Sequence, residues 1–83
     1  MIRDDRTDHD KAILASGGAR LGGERWGGVV AAHYDVDDCA VTLSWHRGVW
    51  SVTNYSRGGS GHTTEHASRA EAWDAYQREN SED

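Results

Sequence analysis

The sequence predicts an α+β fold: a three- to four-stranded antiparallel β-meander with a C-terminal helix packed on one face and a short N-terminal helix. Two observations carry that expectation. Residues 39–55, CAVTLSWHRGVWSVTNY, alternate apolar and polar side chains on both sides of Arg47-Gly48. Further on, Ser68-x-x-Glu71 has the form of a helix capping box and is followed by Trp73 and Tyr76. A period-two stretch and a capped aromatic helix in 83 residues make one small domain.

Closed at Arg47-Gly48, the central hairpin pairs Trp45 with Trp50, Leu43 with Val52 and Val41 with Asn54, all on one face. The other face receives Ser44 with Ser51, Thr42 with Thr53 and Ala40 with Tyr55. Gly48 supplies the positive φ of a primed two-residue turn, although arginine is a poor first residue for it. Val29 to Val36 alternates in the same way. Closing it on Asp37-Asp38 pairs Val36 with Cys39, Tyr34 with Val41, Ala32 with Leu43 and Val30 with Trp45, which extends the meander to three strands. After the turn SRGGSG, residues 62–67 form a short fourth, edge strand of unassigned register. The outer face of the sheet is then flat and hydrogen-bonding, with His33, Thr42, Ser44, Ser51, Thr53, Tyr55 and Thr64.

The remaining segments follow from local chemistry. Residues 1–7 are a loose acidic arm. Thr7 caps a short helix that Gly17 ends, with Asp8 and Asp10 favourably placed in its first turn. Residues 17–28, GGARLGGERWGG, read as a flexible loop, because glycine-rich chain is costly to order. Residues 29–67 hold the sheet and 68–78 the helix, with Trp73 and Tyr76 as the lid over the apolar face and Asp74–Arg78 as an exposed i,i+4 pair. Residues 79–83 fray.

Composition bounds the function. The formal charge is −5, with eight arginines and one lysine, and no basic stripe of the kind a duplex binder needs. Cys39 is the single cysteine, so no internal disulfide forms, and a reducing cytoplasm suits it. The longest apolar run, Val29 to Ala32, is far shorter than a membrane span, and the N-terminus lacks the order of a signal peptide. No cofactor is expected. His62 and His66 are four apart, but on a strand they stand about 13 Å from each other and do not share an ion. No serine or cysteine joins a histidine and an acid in a catalytic motif, so the chain is not expected to be an enzyme.

What remains is binding. Asp35, Asp37 and Asp38, with Glu71, Asp74 and Glu79 on the helix, flank the core, and charge of this sign steers towards a basic partner. The expected function is therefore a non-catalytic binding protein acting on another macromolecule, a protein with a basic surface. The alternative is a small nucleic-acid-binding module using the outer sheet face, Tyr55, Arg47, Arg57 and the glycine-rich loop with Arg20, Arg25 and Trp26. Such a loop offers cations to phosphate and an indole to an unpaired base.

Residues 49–76, VWSVTNYSRGGSGHTTEHASRAEAWDAY, resemble the end of the AP2-like, arm-type N-terminal domains of phage tyrosine integrases. The likeness lies in a tryptophan-bearing strand, a glycine turn and a helix opening with Ser68-Arg69-Ala70-Glu71-Ala72. It implies a three-stranded sheet that lays basic and polar side chains in a DNA groove. Here the strands themselves carry no arginine or lysine, and Arg47 and Arg57 fall at turns on opposite ends. In size and acidity the chain also resembles phage-encoded inhibitors such as anti-CRISPR proteins, which implies a protein partner.

Overall fold

The computed structural model describes residues 4–34, 40–55 and 61–80. The elements run α1 (Asp8–Ala15), β1 (Ala19–Leu21), β2 (Glu24–Trp26), β3 (Val29–Tyr34), β4 (Ala40–His46), β5 (Val49–Tyr55), β6 (His62–His66) and α2 (Arg69–Asn80). Strands β3-β4-β5-β6 form one antiparallel sheet in sequence order, and β1-β2 form a separate two-stranded hairpin. The fold is α+β, with a four-stranded meander.

The central hairpin has the expected register throughout, from Trp45↔Trp50 to Ala40↔Tyr55. Arg47 and Gly48 both take positive φ, 51° and 85°, as a type I′ turn requires. Arg47 holds that conformation at a steric cost that Gly48 does not bear. The face carrying Val41, Leu43, Trp50 and Val52 is the core, and Leu43 and Trp50 are wholly buried.

The first pairing differs from expectation by one residue. Tyr34 pairs with Ala40, His33 with Val41 and Ala31 with Leu43, so Ala31 and His33 take the core side of β3. The register then shifts between Val29 and Ala31, which makes Val30 the extra residue of a bulge. The bulge lets Val29 and Val30 both be buried although they are neighbours in the chain. The slip has a physical reason: the first four residues of β3, Val-Val-Ala-Ala, are apolar at both parities, so alternation alone does not choose a face. Asp35, Val36, Asp37, Asp38 and Cys39, on which the two-residue closure depended, lie outside the described residues.

On the fourth strand, His62, Thr64 and His66 pair with Asn54, Val52 and Trp50, so all three lie on the core side. Thr63 and Glu65 take the outer face, which corrects the placement of Thr64 there. Thr63 and Thr53 meet across the ladder, Oγ1 to Oγ1 at 3.0 Å.

Both helices sit on the core face. α2 packs over β4, β5 and β6, and α1 lies against β3. α1 begins at Thr7 with a complete capping box: Thr7 Oγ1 accepts from Asp10 N (3.0 Å), and Asp10 Oδ2 accepts from Thr7 N (3.1 Å). α2 is capped by Ser68, whose hydroxyl accepts from Glu71 N at 3.3 Å. It turns Ala72, Ala75 and Tyr76 inward, an i, i+3, i+4 stripe. Trp73 is not the lid. It lies about 100° round the helix from Ala72 and is 37% exposed, stacked against Tyr76 with ring centroids 5.4 Å apart. Two alanines and a tyrosine fit closer to a sheet already filled by Trp50.

The glycine-rich segment is a hairpin, not a loop. Gly22 and Gly23 take φ of 64° and 86° between Leu21 and Glu24, a second primed two-residue turn. At its mouth, a Cβ on Gly18 would stand 1.7 Å from the carbonyl oxygen of Trp26. Trp26 meets Tyr55 edge-on at 5.9 Å, which brings this hairpin onto the sheet face opposite the helices. Ala40 and Thr42, on that face, are buried, Thr42 to 1% exposure. The helices thus cover one side of the sheet and the small hairpin covers the β3–β4 part of the other, leaving Thr63 and Glu65 on β6 exposed.

Candidate interaction surface

The acidic residues divide into those used to build the fold and those left facing solvent. Asp10 is 2% exposed. Its carboxylate accepts from Arg69 Nε (2.5 Å) and Nη2 (3.2 Å) at the start of α2. Burial pushes the Asp10 carboxyl up, but its bonds from Arg69 and Thr7 outweigh that and hold it below the usual carboxylate range. Asp5 accepts from the indole N–H of Trp50 and from the backbone N–H of Arg69, each at 2.7 Å. That second bond satisfies one of the orphan donors at the start of α2. The same guanidinium lies 5.9 Å from the Trp50 ring and 5.1 Å from the Trp73 ring. Arg6 is held by Asp4 (2.9 Å) and lies 3.9 Å over the Trp45 ring. The Arg6 bonds hold the Asp4 carboxyl well below its ordinary range. Residues 4–7 are therefore not a loose arm but a clasp joining α1, β5 and α2.

Glu79 also serves the fold. Half-buried near the end of α2, it accepts from Asn54 Nδ2 at 2.6 Å and stands 3.7 Å from His62 Nε2. The helix accordingly runs on to Asn80 where fraying was expected. Glu71 and Asp74 are exposed. With Arg78 they occupy positions i, i+3 and i+7, one stripe along the exposed flank of the helix. Asp74 and Arg78 pair at 3.3 Å with both side chains about 70% exposed (70% and 72%), a contact worth about 0.3–0.5 kcal/mol. Of the six acidic residues expected at a partner site, the structure places Glu71 and Asp74 together on an open face and turns Glu79 to the sheet. Asp35, Asp37 and Asp38 lie outside the described residues.

Between α2 and β6 runs an open groove of ≈ 250 Å³, lined by Val52, His62, Thr64, His66, Ala75, Arg78 and Glu79. In it, Thr64 Oγ1 is 2.9 Å from His66 Nε2. A hydroxyl beside an imidazole is the first requirement of an activated nucleophile. The second, an acid orienting that imidazole, is not met by Glu79, which stands against His62 instead. Among the described residues, no three His, Cys, Asp or Glu side chains gather to hold a metal ion, and no helix is long and apolar enough to cross a membrane.

Of the residues of the nucleic-acid alternative, the structure brings Arg20 and Arg25 together as cross-strand partners on the small hairpin and sets Trp26 against Tyr55, while Arg47 stands apart. Arg25 donates to the carbonyl of Gly18 at 3.1 Å and ties the small hairpin together. Trp26 is half-buried and its ring is occupied by Tyr55. Arg20 is exposed on β1 and Arg47 at the β4–β5 turn; Arg57 lies outside the described residues. The outer face that the integrase resemblance would turn towards DNA carries the β1–β2 hairpin.

Asp5, Asp10 and Arg69 were missed as a unit by sequence reasoning. The buried Asp10 did carry a signal, since an aspartate three residues after a threonine cap is placed for a capping box. Asp5 carried none, because its partners are 45 and 64 residues away. Together these features define a small α+β domain with helices on one face of the sheet, a small hairpin over part of the other, a carboxylate clasp at one end and exposed Glu71 and Asp74 on α2. No family model, no curated protein and no solved structure matches the chain.

Proposed function

We propose that the protein is a non-catalytic binding module that engages a basic surface on a partner protein through the solvent face of α2. One observation carries this reading: Glu71 and Asp74 stand exposed on one stripe, while Asp5, Asp10 and Glu79 are spent on internal bonds. Neither exposed carboxylate is buried by the fold, and the contact of Asp74 is with the equally exposed Arg78. In a chain of formal charge −5, the two carboxylates favour association with cationic surfaces and raise its rate. The segment carrying Asp35, Asp37 and Asp38 adds to the same field. Nucleic-acid-binding proteins present such cationic surfaces, which is the setting in which acidic phage inhibitors act.

The test is a paired charge reversal. Capture of proteins from the native host should fall at least about tenfold with E71K/D74K, and again with D37K/D38K. The wild-type complex should weaken as salt is added, since exposed charges are screened. Undiminished capture by both variants would overturn the reading. Fluorescence anisotropy with labelled duplex DNA, single-stranded DNA and RNA at low salt supplies the other outcome. Salt-sensitive binding abolished by R20A/R25A would put the nucleic-acid reading first.

A further inference from the structure

The sheet has two edges of different character. At one, β3 is packed by α1 and β1. At the other, β6 is packed by β5 on one side and α2 on one face, and residues 62–65 are exposed. Strand β6 reads His-Thr-Thr-Glu-His, with no proline, lysine or bulge and with Glu65 as its one carboxylate, so it lacks several of the devices by which edges are blunted. Which backbone groups it offers follows from the register. His46 and Val49 close the two-residue turn and are a hydrogen-bonded pair. Pairs then alternate, so Ser51 and Thr53 face β4, while Trp50, Val52 and Asn54 bond to His66, Thr64 and His62. The N–H and C=O groups of Thr63 and Glu65 consequently point out of the sheet.

We propose that β6 pairs antiparallel with β6 of a second copy of this chain, about a two-fold axis at Thr64. This register sets Thr63 against Glu65 of the second copy as a hydrogen-bonded pair, and Glu65 against the second copy's Thr63 likewise. All eight outward backbone groups of the two strands are then used. It also sets each Glu65 carboxylate opposite a threonine hydroxyl, so no like charges oppose each other on the outer face. On the groove side, His62 meets His66 of the second copy as a non-hydrogen-bonded pair, the closest cross-strand approach, with Cα atoms about 4.5 Å apart. The separation that stops His62 and His66 from sharing an ion within one chain thus creates two symmetric imidazole pairs across two chains. Glu79 and Arg78 of α2 line the same groove, and Glu79 stands 3.7 Å from His62, so a divalent cation between the imidazoles would have a carboxylate beside it. Zinc binds such nitrogen and oxygen donors at about 2.0–2.2 Å, which makes it a probe of this register. The inference is independent of the partner-binding reading of α2.

Sedimentation equilibrium on the full chain at about 0.1–1 mM, the range suited to a small interface, provides the test. A dimer is expected. Thr63→Pro removes an outward donor and leaves the ladder to β5 intact, and should give a monomer with an unchanged circular dichroism spectrum. Thr64→Lys opposes two ammonium groups at the axis and should weaken the dimer at least about tenfold. Zinc should tighten the wild-type dimer at least about tenfold, and His62→Gln with His66→Gln should remove that response. A wild-type chain that stays monomeric with and without zinc overturns the proposal, as does a dimer indifferent to both Thr63→Pro and Thr64→Lys. A dimer unresponsive to zinc overturns the register centred on Thr64.

Discussion

Replacing Asp10 tests whether the carboxylate clasp is what ties α1 to α2. Its side chain is 3% exposed and that of Arg69 25%, so the pair is desolvated enough for its loss to be felt. Asp10→Ala leaves the guanidinium half-buried without its carboxylate and also removes the acceptor for Thr7 N. Breaking one side of a buried ion pair costs about 3–5 kcal/mol, here nearer the lower figure because Arg69 keeps some solvent. A domain of this length has only about 4–12 kcal/mol of net stability. At about 4–8 °C per kcal/mol the melting temperature should fall by at least about 12 °C. Asp10→Asn keeps an acceptor for Thr7 but removes the charge, and should lie between wild type and alanine. In an Arg69→Met background, Asp10→Ala should cost at least about 1 kcal/mol less, the coupling expected of groups in contact. Urea and thermal melts of the five chains measure all of this. An Asp10→Ala loss below about 1 kcal/mol, or one unchanged by Arg69→Met, would show that the clasp is incidental to stability.

The folded Asp10 carboxyl is held below its unfolded value, so its contribution is complete above about pH 4 and disappears as pH falls through the folded value. Urea melts from pH 6 to pH 2 should show wild type losing stability faster than Asp10→Asn. The tryptophans of the sheet and the helix should separate clearly: Trp50→Ala, at a wholly buried site, should cost about 3–5 kcal/mol. Trp73→Ala, at 37% exposure, should cost about 1–2 kcal/mol by thermal melting, and equal losses would refute the assignment of faces on α2. Arg47→Asn places a residue that tolerates positive φ at the first turn position and should stabilise by about 0.5–1 kcal/mol in the same assay.

The parts of the fold that were legible are those where one physical signal stood unopposed. Alternation from Val41 to Asn54 with a glycine at the turn admits one register, and that is the register found. Strand β3 offered apolar residues at both parities, so its face was settled by a bulge at Val30 that leaves no mark in composition. The glycine pairs were read through their entropic cost. Yet Gly22-Gly23 between Ala-Arg-Leu and Glu-Arg-Trp is also a hairpin signal, and the hairpin is what forms. On α2 the large ring of Trp73 was favoured as the lid, whereas close packing chose the neighbouring alanines. The exposed Asp74–Arg78 pair was legible because helical spacing alone places it. The withdrawal of Glu79 to Asn54 depends on how α2 lies across β5, which no local pattern specifies.

The grip of Asp5 on Arg69 also makes the two ends of the chain depend on each other. The two residues are 64 apart, and chains emerge from synthesis N-terminal end first. The hairpins of the meander join near neighbours in the chain, whereas Asp10 stays uncompensated and the Trp50 ring unroofed by Ala72 and Tyr76 until α2 docks. Only the arrival of the final helix closes both ends at once. A chain that stops short of Arg69 is therefore not a slightly weaker version of this protein. It is an open sheet displaying its largest apolar surface, the kind of species that degradation machinery removes.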